Sequence, residues 1–335
     1  MKPLLSILVP TFNRASFLEG LLLELESQLC GQYPSLDAEV LIGNNASTDN
    51  TALVLQEFSE RNPGWQIIQH GANLGSDANI MALIAESRGS YRWIIGDDDR
   101  PFPGVIAHVL KVLNSDSPSL IYLPSLWHPD ISSIQPDPIN TLRYRLSSNL
   151  NCARELHIWT TFLSSWIFCA DQLLAGLSTI QLISSGQGTF FIQLGWILPL
   201  LICPQSRILM VENTAILATS GNSGGYAILR SFIVGYPRLV CKYTRGFYRI
   251  RFALIGMALR SYMPSLIAAI RLGKTYSNAG DTAGIFANSI KLLWYYPSYW
   301  LLCLPALFLP AGLIKYLLYV RSVIRKNLAK FKRLA

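Results

Sequence analysis

The first 125 residues alternate short apolar segments with stretches whose apolar residues recur at helical spacing, most clearly in residues 15–29. The apolar segments predict strands over residues 4–9, 38–43, 65–70, 91–95 and 119–123. Alternation of this kind builds a mostly parallel sheet with helices on both faces. We therefore expect an α/β fold for this part of the chain.

Polar residues follow four of the predicted strands, at the point where each strand ends. Parallel sheets bind ligands beyond the carboxyl ends of their strands, so these residues should lie along one edge. The four groups are Pro10-Thr11-Phe12-Asn13-Arg14, Asn44-Asn45, Asn73-Leu74-Gly75 and Asp97-Asp98-Asp99. The sequence therefore predicts a ligand-binding site at the carboxyl edge of the sheet.

Asp97, Asp98 and Asp99 form the most acidic of these groups. Adjacent carboxylates repel one another unless a cation lies between them. Mg²⁺ and Mn²⁺ prefer oxygen ligands and commonly share them with phosphate groups. A D-x-D arrangement at a strand end can therefore hold a metal ion that bridges a diphosphate and stabilises the charge on a leaving group. The alternative interpretation is a solvated loop that caps the next helix, with Asp99 shortly before Pro101.

The first 115 residues resemble family 2 glycosyltransferases of the GT-A fold. The matching segments are, in the family's order, SILVPTFNRASFLEGLL, EVLIGNNASTDNT and NLGSDANIMALIAESRGSYRWIIGDDD. Weaker similarity continues through WTTFLSSWIFCADQLL, GQGTFFIQLGWIL and SGNSGGY, which resemble the branch that includes abequosyltransferase-like enzymes of O-antigen synthesis. The resemblance implies a GT-A-type nucleotide-binding domain that transfers a hexosyl or deoxyhexosyl group from a nucleoside-diphosphate sugar.

The resemblance also implies roles for particular residues. Contact with the nucleotide is implied for Pro10, Thr11, Asn13, Arg14, Asn44, Asn45, Asn73, Gly75, Asp77, Asn79, Asp97 and Asp98. Asp97 and Asp99 would hold the metal ion, Mn²⁺ or Mg²⁺. Local alternatives stay open for two residues, because Asn13 is able to cap a helix and Asp77 suits a helix start. Asn44 stands where the family usually has an aspartate, so it brings an amide without a charge and bears on which nucleotide is bound.

The catalytic base is sought among the few acidic residues that follow the D-x-D motif. An inverting glycosyl transfer needs a group that accepts the proton of the acceptor hydroxyl. Asp171 and Glu212 flank a stretch without charges, from Gln172 to Ser206, where burial could raise the pKa of a carboxyl group toward a useful value. Both residues are therefore candidates for the base. A retaining mechanism without a dedicated base is the alternative.

Charge is distributed unevenly along the chain. Residues 1–100 carry 6 Lys and Arg against 13 Asp and Glu, whereas the segment after residue 212 carries 17 Lys and Arg and the single acid Asp281. These basic residues are mixed with long aliphatic runs, which a nucleic-acid-binding surface does not need. The pattern favours an anionic membrane surface as the partner of this half and argues against nucleic acid.

Residues 292–314 form an uncharged stretch of 23 residues, which is long enough to cross a bilayer. Pro297, Pro305 and Pro310 argue against one straight helix. A single span would also carry the basic C-terminal residues across the membrane, against the positive-inside tendency. We therefore expect a peripheral, monotopic or hairpin anchor at the cytoplasmic face of the cell membrane. The alternative is a basic helical domain packed on the enzyme or on a second copy of the chain, as a homo-oligomer.

Three regions and one function follow from these patterns. Residues 1–125 are expected to form the GT-A nucleotide-sugar-binding domain, 126–225 the acceptor side of the catalytic domain, and 226–335 a helical membrane-associated region. Residues 124–150, rich in Pro, Ser and Asn, predict a loop. The expected function is metal-dependent transfer of a sugar to a lipid-linked or cell-surface glycan. The alternative, prompted by Asn44 and by the lack of an obvious base, is a catalytically inactive membrane-bound scaffold of a glycan assembly complex.

Overall fold

The computed structural model describes residues 2–31, 37–174, 189–221, 227–273 and 282–316. The chain divides into two compact units. The first consists of Met1–Asn222 with Leu239–Ala253, and the second of Ser223–Arg238 with Leu254–Ala335. Residues 1–125 and nearly all of residues 126–225 thus belong to the same unit.

The first unit contains an eight-stranded sheet and a three-stranded sheet. The strands are β1 (Leu5–Thr11), β2 (Ala38–Asn44), β3 (Gln66–Gln69), β4 (Tyr91–Ile94), β5 (Asp99–Pro101), β6 (Leu120–Tyr122), β7 (Ser125–His128), β8 (Tyr144–Ser147), β9 (Trp166–Cys169), β10 (Ile208–Val211) and β11 (Ile216–Thr219). The large sheet has the order β3-β2-β1-β4-β9-β6-β10-β8, and the small sheet has the order β5-β11-β7. Pairing is parallel from β3 to β4 and between β6 and β10, whereas β8 and β9 run antiparallel to their neighbours. The mostly parallel α/β fold expected from the sequence is confirmed.

β1 lies in the parallel part of the large sheet, between β2 and β4. Leu5, Ile7, Leu8 and Val9 of this strand are fully buried. A parallel strand that is covered on both faces places both sets of alternating side chains in the core. This burial explains why the sequence of β1 is a continuous apolar run.

The helices connect these strands and make up the second unit. The described helices begin with α1 (Ala15–Glu26), α2 (Thr51–Arg61), α3 (Ser76–Glu86), α4 (Val105–Asp116), α5 (Asn149–Leu156), α6 (Ala170–Leu174) and α7 (Leu194–Ile202). They continue with α8 (Ile228–Arg230), α9 (Tyr236–Tyr243), α10 (Tyr248–Ser261), α11 (Met263–Arg271), α12 (Thr282–Leu293) and α13 (Leu304–Phe308). Short 3-10 helices cover Ile131–Ser133, His157–Thr161 and Leu163–Ser165, and π-helical turns cover Ser27–Gly31, Ser231–Gly235 and Tyr299–Cys303.

The helical periodicity of residues 15–29 corresponds to a buried face of α1. Leu18, Leu21, Leu22 and Leu25 are fully buried in the main hydrophobic core. Burial of each leucine stabilises the fold by about 1.5–3 kcal/mol before the entropy cost of folding is subtracted. α1 begins directly after the loop that follows β1, so its packing fixes the position of that loop at the edge of the sheet.

Residues 124–150 contain more regular structure than their composition predicts. β7 pairs with β11, and β8 pairs with β10 at the edge of the large sheet. Tyr144, Arg145 and Leu146 of β8 are exposed, so this edge strand has no apolar pattern that could reveal it. The prediction of a loop is wrong for these two segments.

The uncharged stretch 292–314 is not a single helix in the structure. α12 ends at Leu293, a π-helical turn covers Tyr299–Cys303, and α13 ends at Phe308. Among the described residues, one helical stretch, Tyr248–Arg271, is long and apolar enough by composition to cross a membrane. Since 56% of its apolar window is buried within the protein, and a core helix of a globular protein meets the same criterion, this stretch is weak evidence for a span.

Candidate active site

The carboxyl ends of β1, β2 and β4 meet at one edge of the large sheet. Thr11, the last residue of β1, lies opposite Asn44, the last residue of β2. β4 pairs with β1 on the other side and ends at Ile94, shortly before Asp97. The groups predicted after these strands are therefore brought to one edge.

Asp97 is held by two side chains from the end of β1 and the following loop. Thr11 Oγ1 donates a hydrogen bond to Asp97 Oδ2 over 2.7 Å. Arg14 Nη1 lies 3.1 Å from Asp97 Oδ1 and 2.9 Å from Asp98 Oδ2, so its guanidinium bridges the two carboxylates. Asp97 is only 5% exposed, which makes these contacts part of a largely desolvated charge cluster.

Asp99 is held by residues that come much later in the chain. Ser164 Oγ donates to Asp99 Oδ2 over 2.5 Å, and the backbone N–H of Thr219 donates to Asp99 Oδ1 over 3.2 Å. Thr219 Oγ1 also donates to the carbonyl oxygen of Asp98. Sequence reasoning missed Ser164 and Thr219, because they lie 65 and 120 residues away from Asp99. Ser164 lies within the segment WTTFLSSWIFCADQLL, whose resemblance to the family assigned no role to this serine.

Burial dominates the electrostatics of the acidic cluster. Desolvation raises the pKa of Asp97 to about 6; Arg14 opposes this shift and Asp98 adds to it. Desolvation, followed by repulsion from Asp98, also raises the pKa of Asp99 well above its usual range. Because both carboxyl groups resist ionisation in these surroundings, a further cation would stabilise the cluster.

The oxygen atoms of the cluster suit a divalent metal ion. Asp98 Oδ1 and Asp99 Oδ2 lie 3.1 Å and 3.2 Å from the point that a Cβ atom on Gly96 would occupy, so two carboxylate oxygens flank one small region. Mg²⁺ is commonly held by one or two carboxylates, with substrate phosphates and water completing its shell. Within the described residues, no group of three or more His, Cys, Asp or Glu side chains converges on one point. Asp98 and Asp99 could therefore supply two carboxylate ligands to such an ion, and its other ligands would have to come from outside the protein.

The loop after β1 is fixed against the loop after β2. Asn13 has a φ of 52°, a left-handed conformation that asparagine adopts more readily than most residues. Its backbone N–H donates to Ser47 Oγ, and its Oδ1 accepts from the N–H of Thr48 over 2.7 Å. Asn13 thus joins two loops and does not cap a helix. A surface cavity of about 340 Å³ adjoins it, lined by Asn13, Arg14, Ala15, Ser16, Phe17, Asp49 and Asn50.

Asn44 and Asn45 hold neighbouring loops to each other. Asn44 is fully buried, donates from Nδ2 to Gln69 Oε1 and accepts at Oδ1 from the N–H of Ser47. Asn45 is 2% exposed and donates from Nδ2 to Asn73 Oδ1 over 2.9 Å. The amide at position 44 is therefore engaged within the protein, where it shapes the loop that follows β2.

Asn79 and its neighbours complete this edge of the sheet. Asn79 Nδ2 donates to the carbonyl oxygen of Gly43 over 2.8 Å, and Asn79 Oδ1 lies 3.1 Å from His70 Nε2. Asp77 is 8% exposed in the first turn of α3, directly after Gly75, whose φ of 83° favours glycine. The predicted nucleotide residues all lie along this edge, and Asn13, Asn73 and Gly75 are the members exposed to solvent.

Asp171, predicted as a candidate base, does not lie with the acidic cluster. It follows β9, which runs antiparallel to β4, and therefore lies at the opposite edge of the sheet. Lys2 Nζ donates to its two carboxylate oxygens over 2.7 Å and 2.8 Å. Desolvation raises the pKa of Asp171, but hydrogen bonds from Lys2 and Ser90 outweigh it and the pKa lies below its usual value. The expectation of a raised pKa at this position is wrong.

Glu212, the second candidate, follows β10 at the edge that holds the cluster. β10 is three strands from β4, which corresponds to about 14 Å across the sheet. The Glu212 side chain is 50% exposed and lies 3.9 Å from Arg145 Nε. Glu212 was proposed as the base because it was expected to be buried, and the structure does not bury it.

The fold and the site define a GT-A-type α/β domain with an acidic cluster at the carboxyl ends of its parallel strands. Residues 6–165 match the family described as Glycosyl transferase family 2. The chain is 36% identical over 122 residues to the abequosyltransferase RfbV of Salmonella typhimurium, a match that covers 36% of this chain and 35% of that protein. The chain thus matches about a third of the length of this relative.

Solved glycosyltransferase structures share the fold. TarS 1–349 of S. aureus in complex with UDP superimposes with a TM-score of 0.57 at 13% identity, covering 90% of each chain. The mannosyltransferase PcManGT of Pyrobaculum calidifontis in complex with GDP-Man and Mn²⁺ has a TM-score of 0.54 at 17% identity, covering 92% of this chain and 85% of that one. The GT-A-type fold and the resemblance to family 2 glycosyltransferases, both expected from the sequence, are confirmed.

Proposed function

We propose that this protein is a glycosyltransferase that transfers a sugar from a nucleoside-diphosphate donor to a lipid-linked or cell-surface glycan. The observation that carries the proposal is the buried acidic cluster Asp97–Asp99, which is joined to the β1 loop through Thr11 and Arg14. Carboxylates in that position at the carboxyl edge of a parallel sheet suit a ligand that carries a diphosphate and a metal ion.

The cluster supports metal-dependent transfer. Asp97 and Asp99 would hold Mn²⁺ or Mg²⁺, and Asp98 Oδ1 and Asp99 Oδ2 lie 3.1 Å and 3.2 Å from the point that a Cβ atom on Gly96 would occupy. When bound, the ion neutralises the charge that develops on the departing nucleoside diphosphate. Thr11 and Ser164 orient the carboxylates of Asp97 and Asp99 through hydrogen bonds, so the cluster is organised before a donor binds.

The surface cavity beside Asn13 and Arg14 supports nucleotide binding. Its lining combines amide, guanidinium and carboxylate groups with the ring of Phe17, a mixture that suits a base and a ribose. The exposed residues Asn73 and Gly75 offer further polar groups at the same edge. The relatives support the same class of donor, since TarS is solved with UDP and PcManGT with GDP-Man and Mn²⁺.

The second unit supports association with the cytoplasmic face of the membrane. Its exposed large apolar side chains include Trp294 at 62%, Leu301 at 73% and Phe308 at 62% exposure. Lys291 and Lys315 lie close to them in the sequence, so the surface combines apolar and basic groups as interfacial anchors do. A lipid-linked acceptor explains why a nucleotide-binding domain and such a surface share one chain.

Calorimetric titration tests the proposal. UDP, GDP, CDP and dTDP are titrated into the full chain with and without Mn²⁺. We expect at least one diphosphate to bind with an affinity that depends on Mn²⁺. Asp99→Asn should abolish this dependence without unfolding the protein, because the amide has nearly the shape of the protonated carboxyl group. Asp137→Asn, at an exposed position away from the cluster, is the control.

Two outcomes of the titration would contradict the proposal. Binding that is equally tight in wild type and Asp99→Asn would reject the metal assignment. Binding of none of the four diphosphates would favour the alternative of a catalytically inactive, membrane-bound scaffold.

A further inference from the structure

The small sheet β5-β11-β7 connects the acidic cluster to an exposed tryptophan. Ala218 of β11 lies opposite Asp99 of β5 on one side and opposite Trp127 of β7 on the other. Residues that lie opposite each other on paired strands project from the same face of a sheet. Asp99 and Trp127 therefore share a face, and two strand spacings separate them, which is about 10 Å.

A second route leads from Asp99 to the same tryptophan. Ser164, which donates to Asp99 Oδ2, follows Phe162 after one intervening residue. The ring of Phe162 lies 4.4 Å from the ring of Trp127, centroid to centroid, at an interplanar angle of 52°. The short segment from Phe162 to Ser164 thus contacts both the acidic cluster and Trp127, which fixes the two relative to each other.

Trp127 belongs to a group of three aromatic rings at the surface. Trp159 lies 6.2 Å from Trp127 at an interplanar angle of 36°, and Phe162 is partly buried beside both. Trp127 is 39% exposed and Trp159 is 37% exposed, so both side chains present part of their surface to solvent. Contiguous exposed aromatic surface of this kind marks a binding site. The tilted rings form a rigid surface next to the acidic cluster.

We propose that the aromatic surface formed by Trp127, Trp159 and Phe162 is the acceptor subsite, where a pyranose ring of the acceptor glycan stacks on Trp127. This assignment rests on the proposed function, because the bound sugar is an acceptor only if the protein is a glycosyltransferase. The C–H groups on one face of a pyranose carry slight positive charge and meet the negative face of an aromatic ring. A sugar held there would present its hydroxyl groups toward a donor bound at Asp99.

The polar neighbours of Trp127 favour a sugar over a lipid chain. Ser125 precedes Trp127 by two residues on β7 and therefore lies on the same face. Ser125 is half-buried and its Oγ lies 2.9 Å from Oγ of the buried Ser165, so one partly accessible hydroxyl group lies on the Trp127 face. Ligand sites that combine aromatic walls with a few positioned hydroxyl groups suit a ring that is apolar on its face and polar at its rim.

Fluorine NMR of the full chain tests the subsite without requiring transfer activity. The eight tryptophans are labelled as 5-fluorotryptophan, and Trp127→Phe assigns the resonance of Trp127. The probes are the methyl pyranosides of glucose, galactose, mannose, rhamnose and N-acetylglucosamine, and sorbitol is the control polyol without a ring face. We expect at least one pyranoside to shift the Trp127 resonance saturably, while the buried Trp93 and Trp196 do not respond and sorbitol has no effect. No shift with any pyranoside, or an equal shift with sorbitol, would overturn the proposal.

Two variants of Trp127 extend the test to the reaction. Trp127→Ala should weaken acceptor use about tenfold or more, and Trp127→Phe should restore most of it, because the ring face is what binds. Diphosphate affinity and donor hydrolysis without acceptor should stay unchanged in both variants. Leu126→Ala, exposed on the opposite face of β7, is the matched control.

The outcomes separate this inference from the proposed function. A pyranoside shift without diphosphate binding would leave a sugar-binding site and reject the transferase. Diphosphate binding without a pyranoside shift would retain the transferase and reject the subsite. Loss of binding to anionic vesicles in Trp127→Ala would instead assign the rings to lipid and overturn the subsite.

Discussion

The guanidinium of Arg14 lies 3.1 Å from the carboxylate of Asp97, a residue 83 positions later in the sequence. The same nitrogen lies 2.9 Å from Asp98 Oδ2, so one positive charge serves two carboxylates. Asp99 receives hydrogen bonds from Ser164 and Thr219 and no charge contact from Arg14 among the described residues. The single positive charge of Arg14 therefore neutralises only part of the negative charge of the three carboxylates.

Replacement of Arg14 should destabilise the protein, because it removes the positive charge that lies beside Asp97 and Asp98. Arg14→Gln leaves Asp97 and Asp98 without their counter-ion, and we expect the free energy of unfolding to fall by about 1–3 kcal/mol at neutral pH. Mn²⁺ should recover part of this loss, because it supplies positive charge to the same carboxylates. Urea unfolding with and without Mn²⁺ measures both effects. Arg88→Gln is the control, since it also removes an arginine from a buried carboxylate, Glu39, and Mn²⁺ should recover none of that loss.

A Mn²⁺ response of equal size in Arg14→Gln, Arg88→Gln and wild type would contradict this prediction. Such a result would mean that the ion stabilises the protein at some other place.

The pKa of Asp97 predicts a specific dependence of stability on pH. A carboxyl group with a raised pKa binds its proton more tightly in the folded state than in the unfolded chain. Its contribution therefore favours folding at low pH and is lost as the pH rises from about 4 to about 6. A pKa of about 6, against the ordinary value of 3.8, corresponds to about 3 kcal/mol across that window.

Asp97→Asn tests this contribution. Urea unfolding of wild type and variant should show the wild type losing about 3 kcal/mol relative to the variant as the pH passes from about 4 to about 7. Asp97 is one of the charges that raise the pKa of Asp99, so Asp97→Asn also weakens that shift, and the difference between the two curves reports the two carboxyl groups together. Parallel stability curves for the two proteins would show that Asp97 is not protonated more easily in the folded state.

The sequence predicted the parallel core of the fold because burial leaves a strong pattern. β1 and β4 are buried on both faces, so their apolar runs are visible without alignment. β8 is exposed at the edge of the sheet, and its pattern resembles that of a loop. The antiparallel insertion of β9 between β4 and β6 depends on contacts between distant segments, which local patterns do not encode.

Some residues of the candidate site are indicated by the sequence, and others are revealed only by the fold. Asp97 and Arg14 were predicted as site residues because they directly follow predicted strands and match a family motif, and the structure brings their side chains into contact. Ser164 was missed because nothing in the segment around it distinguishes this serine from Ser165 until the fold brings its hydroxyl group to Asp99. Asp171 was proposed from the absence of charge around it in the sequence, but Lys2 approaches it from the start of the chain and pairs with it.

Ser164 should prove essential to the cluster. Its Oγ donates to Asp99 Oδ2 and accepts from the N–H of Gly96 over 2.9 Å, so Ser164→Ala removes one of the two hydrogen bonds to the buried Asp99 carboxylate and the side-chain partner of the Gly96 N–H. We expect a loss of about 1–3 kcal/mol in the free energy of unfolding. Mn²⁺-dependent diphosphate affinity should fall as well, because Asp99 is no longer oriented. Ser133→Ala, at the exposed surface, is the control, and an unchanged Mn²⁺ dependence in Ser164→Ala would show that Asp99 needs no such support.

Gly43 and Asn79 should show strong energetic coupling. A Cβ atom at position 43 would lie 2.2 Å from Asn79 Oδ1, so Gly43→Ala must displace the side chain that binds the Gly43 carbonyl. We expect Gly43→Ala to destabilise the fold by about 1–3 kcal/mol, with a similar loss for Asn79→Ala. The double variant should lose less than the sum, because removing the Asn79 side chain also removes the clash. Urea unfolding of the wild type, the two single variants and the double variant measures the coupling. Strictly additive losses would mean that the Asn79 side chain does not contact Gly43 in solution.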